Sequence, residues 1–182
     1  MQNQQQKHHQ HQSIPPHAQL FEIATGFMRS QTLYAAAELG IADLLKDGEK
    51  SVDELARLTQ THSESLYRLL RALSSIGVFA ESGNRRFQLT PMASAMQCDD
   101  PQSLRSYIRL LGDPSWWRPW GNLLHSLQSG KPAFDQVFKT DFQTHLEKHP
   151  DLYNVFQDCM TRVSRVHNQA IVEAYDFSAH RT

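Results

Sequence analysis

The sequence predicts a mainly helical chain with one small β-hairpin. Beyond residue 16, apolar residues recur at three- and four-residue spacing, the period of one face of an α-helix. Strand-like runs are confined to Val78-Phe79-Ala80 and Phe87-Gln88-Leu89, on either side of Ser82-Gly83-Asn84, a hairpin turn signal. Helix punctuation also falls where the periodicity changes. Ser51 with Glu54 forms a capping box, Gly40, Gly77 and Gly130 follow helical runs, and Pro114 and Pro150 precede them.

Taken in order, residues 1–16 form a Gln/His-rich tail, MQNQQQKHHQHQS followed by Ile14, Pro15 and Pro16. Such a segment buries too little apolar surface to offset its ordering entropy and is expected to be disordered. His8, His9 and His11 could collect a metal ion, but a solvated tail is the ordinary reading. From His17 to Leu39 the pattern is helical, with Leu20, Ile23, Phe27 and Met28 on one face and Leu33, Ala36 and Ala37 continuing it. Gly26 sits inside that run, where it either weakens the helix or kinks it. Ile23, Ala24, Phe27 and Met28 give a wider apolar surface than one core needs, so this helix is expected to pack against a second chain.

Ile41–Lys46 reads as one or two short turns and Asp47-Gly48 as a reversal. Ser51 caps a helix carrying Val52, Leu55, Ala56 and Leu58, and Ser63 caps another carrying Leu66, Leu69, Leu70, Leu73 and Ile76. Three helices followed by a hairpin are the winged-helix plan, here over about residues 41–93. With the first helix it makes a unit of residues 17–93. Residues 94–182 read as further helices. Leu104, Tyr107, Ile108 and Leu111 mark one, and Trp116–Leu127 a second. Phe134, Val137 and Phe138 mark a third, and Asp141–Lys148 a fourth. A long final helix from Asp151 carries Leu152, Val155, Phe156, Met160, Val163, Val166, Ala170 and Ile171 and fades at Tyr175-Asp176-Phe177.

Bulk properties exclude several classes. The net charge is −1, with 40% hydrophobic and 20% charged residues, so no electrostatic footprint calls for nucleic acid or a membrane surface. The apolar runs are too short for a transmembrane helix, and the Gln/His start has no signal-peptide apolar region. Two cysteines, Cys98 and Cys159, are too few for a disulfide framework or a zinc site, which fits a reducing cytoplasm and leaves one long-range disulfide open.

The eight glycines include no pair separated by one residue, so there is no G-x-G turn to receive a nucleotide-like cofactor, and no P-loop. His145 and His149, in HLEKH, share a helix face, but the glutamate is misplaced for a zinc-protease motif and a third ligand is missing; no metal site is expected. His125 and His167 read as core-edge histidines bonded to carbonyls. No Ser/His/Asp or Cys/His arrangement is visible. The winged helix offers Arg57, Arg68, Arg71, Arg85 and Arg86, but Asp53, Glu54, Glu64 and Glu81 oppose them, and five against four leaves a net of one. DNA-binding domains carry a clearer basic face, so these arginines are expected to be solvated or paired. Trp116, Trp117 and Trp120, all three tryptophans of the chain, lie within five residues. They suit core or interdomain packing, the commoner reading, or the wall of a pocket for a flat organic ligand.

The segment ELGIADLLKDGEKSVDELARLTQTHSESLYRLLRALSSIGVF resembles the dimerisation domain of the plant and bacterial small-molecule S-adenosylmethionine-dependent O-methyltransferases. FQLTPMA, the run WWRPWGNLLHSLQSGKPAF, HPDLYNVFQDCM and AYDFSAHRT extend the likeness to about Ala18–Thr182. The resemblance implies a homodimer built on the first helix and winged helix. It also implies a helical lid in which Trp116, Trp117, Phe156 and Met160 close over a small aromatic methyl acceptor. In that family the glycine-rich loop for S-adenosylmethionine and the catalytic histidine follow the last of these segments. This sequence stops at His180-Arg181-Thr182, so no catalytic or cofactor-binding residue is carried over to it. The expectation is a dimerising and acceptor-positioning portion that is inactive alone. The competing readings are a winged-helix transcription regulator and an assembly module for a separate methyltransferase chain.

Overall fold

A computed structural model describes residues 15–175. The Gln/His-rich segment up to residue 14 and the sequence from Asp176 onward, both read above, lie outside the described residues.

Helix α1 (Pro16–Glu38) opens with Pro16 at its first position, one residue earlier than the tail boundary expected from sequence. It runs through Gly26 without interruption. Its C-terminal half is built into the core through Ala36 and Ala37, with Leu33 packed alongside. Its N-terminal half is not, and Leu20 and Ile23 are 68% and 77% exposed. Gly40, at φ 66°, takes the left-handed conformation that turns the chain into α2 (Ile41–Leu44).

The winged helix follows as expected, with one addition. Helix α3 (Val52–Thr59) is capped by the Ser51 hydroxyl, which accepts from the Glu54 N–H at 3.2 Å. Helix α4 (Ser63–Ser75) turns Leu66, Leu70 and Leu73 inward. The two wing strands were read in sequence; the third, β1 (Lys50–Ser51), was not, since two residues show no alternation. It pairs antiparallel with β3 (Arg86–Leu89), Lys50 opposite Phe87, and β3 pairs antiparallel with β2 (Phe79–Gly83). The strand order is β1-β3-β2. The reversal sits one residue beyond the Ser82-Gly83-Asn84 signal. Asn84 (φ 49°) and Arg85 (φ 57°) both take positive φ, as a type I′ hairpin requires. Ile41, Leu45, Val52, Leu55, Leu70, Leu73, Phe79 and Phe87 form the first core.

Beyond the wing, Thr90 caps α5 (Pro91–Ser94), and α6 (Arg105–Gly112) crosses back onto α1. The approach is close enough that a Cβ at Gly112 would overlap the base of the Tyr34 ring. Arg105 donates to the Ala37 carbonyl and the Asp43 carboxylate, each at 2.8 Å, and Arg109 grips Glu38 with two bonds of 2.7 and 3.0 Å. Trp116–Leu127, read as one helix, is two: α7 (Pro114–Gly121) and α8 (Leu123–Ser129). Pro119 lies inside α7 and supplies no N–H for the ladder, and the helix ends two residues later. Short helices α9 (Ala133–Phe138) and α10 (Phe142–Glu147) lead into α11 (Pro150–Ala174), which packs along α6. Here a second, smaller core forms from Leu110, Leu146, Leu152 and Cys159. Both cysteines are free, Cys98 at the surface and Cys159 buried.

Candidate functional site

The aromatic residues expected to wall a pocket are set out by α7 and α11. Asp113 caps α7 by accepting from the Ser115 N–H at 2.7 Å, which fixes where the helix begins. Trp116 and Trp117 then diverge, as neighbours on a helix must. Trp116 turns into the second core and meets Phe142 edge-on, centroids 5.7 Å apart. Phe142 meets Phe156 in the same manner at 5.6 Å. Trp116, Phe142 and Phe156 therefore form one aromatic file across α7, α10 and α11. Trp117 instead faces α1, its ring 6.4 Å from Phe27. Met160, one turn beyond Phe156, stands at the surface of α11, 38% exposed. The structure thus joins two of the four expected residues through Phe142, seats a third on α1 and leaves the fourth open. Trp120, also exposed, borders a shallow apolar hollow with Leu123 and Phe134.

Phe142 was not singled out from sequence. Its signal was present, an aromatic directly after the Asp141 cap, where Asp141 accepts from the Thr144 N–H at 2.9 Å. What sequence lacked was the fold of α10 between two distant helices.

Around the far end of this file lies His145, only 6% exposed. Its Nε2 is 2.9 Å from the Ser115 hydroxyl, and its ring packs against Phe134 and Phe138 at 5.3 and 4.6 Å. His149 stacks on it at 3.9 Å and donates from Nδ1 to the His145 carbonyl at 2.7 Å. The two imidazoles of HLEKH lie ring on ring, and among the described residues no group of three or more candidate ligands could hold a metal ion. Burial pushes the His145 pKa down, and the neighbouring His149 pushes it the same way. His125 has the Ser129 hydroxyl at 3.3 Å rather than a carbonyl, and the His167 side chain is not among those described.

Three of the five winged-helix arginines, Arg71, Arg85 and Arg86, are paired within the domain. Arg85 bonds Glu64 at 2.8 Å and lies over the Tyr67 ring at 4.4 Å. Arg86 bonds Glu49 at 2.7 Å, and Arg71 approaches Glu81 at 3.9 Å. The N-terminal half of α1 leaves Leu20, Phe21, Ile23, Phe27 and Met28 all exposed. No helix among the described residues is long and apolar enough to cross a membrane.

S-adenosylmethionine needs a strand followed by a turn whose backbone can approach the ligand. Among the described residues the strands are those of the wing, and no strand is followed by a glycine-rich turn opening a helix. The described residues offer no such turn to that cofactor.

Residues 21–97 match the family model of the O-methyltransferase dimerisation domain. The phenazine O-methyltransferase PhzM of Lysobacter antibioticus is 37% identical over 93% of this chain and 50% of its own length. The crystal structure of LaPhzM superposes with a TM-score of 0.88 at 38% identity, over 91% of this chain and 49% of that one. CalO1, a methyltransferase in calicheamicin biosynthesis solved in its SAH-bound form, gives a TM-score of 0.76 at 29% identity, over 92% of this chain and 51% of that one. The chain spans about half the length of the relatives it matches. Residues 21–97 are therefore an O-methyltransferase dimerisation domain, and the chain as a whole is similar to the O-methyltransferases over about half of their length.

Proposed function

We propose that this chain is the dimerising and acceptor-positioning portion of an enzyme that transfers a methyl group from S-adenosylmethionine to a hydroxyl of a small aromatic molecule. The observation that carries it is the apolar N-terminal half of α1, left uncovered on a chain whose residues 21–97 match a dimerisation domain. Exposed apolar surface of this kind is removed from water by association. A second copy is the natural cover, giving a homodimer. The Trp116–Phe142–Phe156 file supplies the flat apolar wall an aromatic acceptor needs, with Trp117 and Met160 at its margins. The phenazine named for one relative and the SAH bound to another are in keeping with that acceptor and donor. Among the described residues no strand is followed by a glycine-rich turn for the donor, and the role assigned to this chain is to position the acceptor. A reducing cytoplasm suits its two free thiols. The internal pairing of Arg71, Arg85 and Arg86 lowers the basic charge that a DNA-binding regulator would present.

Light scattering tests the dimer. The wild-type chain should run at twice 20.9 kDa at micromolar concentration, and Ile23→Asp, at a position 77% exposed within one chain, should yield a folded monomer. A wild-type monomer would overturn the dimer. Calorimetry with S-adenosylmethionine should give no saturable heat for this chain, and a micromolar dissociation constant would overturn the assignment of donor binding elsewhere.

A further inference from the structure

The apolar arm of α1 has a counterpart on α7 and α8. There Trp120, Leu124 and Leu127 are 61%, 69% and 73% exposed, and Leu123 is exposed beside them. Trp120 and Leu123 also line a hollow of about 230 Å³ with Pro119, Pro132, Ala133 and Phe134, and no polar side chain stands among its walls. The two faces adjoin where Phe27 of α1 meets Trp117 of α7. Beyond that contact both stay open. Leu20 and Ile23 on the arm and the leucines of α8 are all exposed, so neither face covers the other within one chain.

We infer that two copies of this chain exchange these faces, the α1 arm of each lying on the α7–α8 face of its partner and seating an apolar side chain in the hollow. The inference rests on the homodimer proposed above and names what the arm packs against. Area favours the exchange. At about 200 Å² for a large side chain, the exposed fractions of Leu20, Phe21, Ile23, Phe27 and Met28 come to roughly 600 Å², and those of Trp120, Leu123, Leu124 and Leu127 to roughly 500 Å². A permanent homodimer buries about 1,000 Å² or more on each partner, which the two faces reach together and the arm alone does not. Charge points the same way. Residues 114–134 carry Arg118 and Lys131 and no carboxylate. Residues 16–28 carry one carboxylate, Glu22, which Arg29 approaches only to 3.9 Å, and no Lys or Arg. Arm against arm would bring Glu22 toward its own copy, whereas arm against α8 brings it toward cations. Two-fold symmetry then makes the contact twice and leaves neither face of either copy uncovered.

Cross-linking tests the pairing in the full 182-residue chain carrying Cys98→Ser, which removes its exposed thiol. Ile23→Cys and Leu127→Cys are placed in separate copies bearing tags of different mass, and the two are co-expressed. A short bismaleimide should join the two tagged copies to each other and should join neither variant to itself. Linkage of Ile23→Cys to itself instead would set arm on arm and overturn the exchange. Light scattering gives a second reading. Leu124→Asp with Leu127→Asp should convert the dimer to a monomer with an unchanged circular dichroism spectrum. Val172→Asp, on α11 and 67% exposed, should remain a dimer. A dimer that survives the α8 substitutions overturns the exchange and leaves the α1 homodimer standing, and dissociation of both variants alike overturns it too. A wild-type monomer would take away the homodimer and the exchange with it.

Discussion

His145 holds three groups at once. It bonds Ser115 on α7, packs on Phe134 and Phe138 of α9, and carries His149 stacked on its other face. Protonating it would place a charge in a buried site beside a second imidazole and Lys148, with only Asp113 in opposition. The native state therefore takes up this proton at lower pH than the unfolded chain does. Where the unfolded state binds more protons, stability rises with pH. The fold should be at full strength above the ordinary histidine value of 6.5 and weaken as pH falls from there toward the lowered native value. Urea denaturation between pH 7.5 and 5 reads the slope, and an NMR titration of the His145 ring should place its midpoint below 6.5. A midpoint at or above that value would contradict the account. None of this was legible in HLEKH, because helical spacing says which residues share a face and not what covers it.

At the scale of elements, the sequence was readable wherever a helix has a buried face and a capped end. Leu66, Leu70 and Leu73 of α4 and the Ser51 cap of α3 were evident for that reason. The two-residue strand β1 and the break between α7 and α8 were not, because pairing with β3 and the effect of Pro119 have no periodic signature. The candidate site was legible as a set of residue types and not as an arrangement. Trp116, Trp117, Phe156 and Met160 were named together, yet adjacent helical positions had to part, and Phe142 supplies the connection. That arrangement gives unequal costs. Trp116 belongs to the second core, whereas Trp117 leans on a single ring of α1. A fully buried tryptophan cut to alanine costs roughly 3–5 kcal/mol, so Trp116→Ala should lose about 2–3 kcal/mol and Trp117→Ala about 1 kcal/mol. Thermal melts of the two variants decide it. Equal, core-sized losses would mean that both rings are sealed and that no face remains open to an acceptor.

For the whole molecule, the contacts between α1 and α6 carry a consequence for the order of folding. The winged helix joins residues up to 37 apart, whereas the Arg109–Glu38 pair joins residues 71 apart. Closing such a loop costs about 4 kcal/mol in chain entropy by the (3/2)RT ln n relation, and nothing repays it until both ends are formed. The winged helix closes its longest strand pairing over 37 residues, which costs about 0.6 kcal/mol less by the same relation. The transition state should then contain the winged helix and lack the clasp, with α6 docking on the downhill side of the barrier. Arg109→Ala would leave the refolding rate close to wild type and express its whole effect as faster unfolding. Chevron plots of the two proteins should share a folding limb and separate on the other. Coincident unfolding limbs would instead place the clasp in the nucleus. If the limbs divide as expected, the lifetime of the folded chain is governed by the grip of α6 on α1, and the rate at which it forms by the segment that grip encloses.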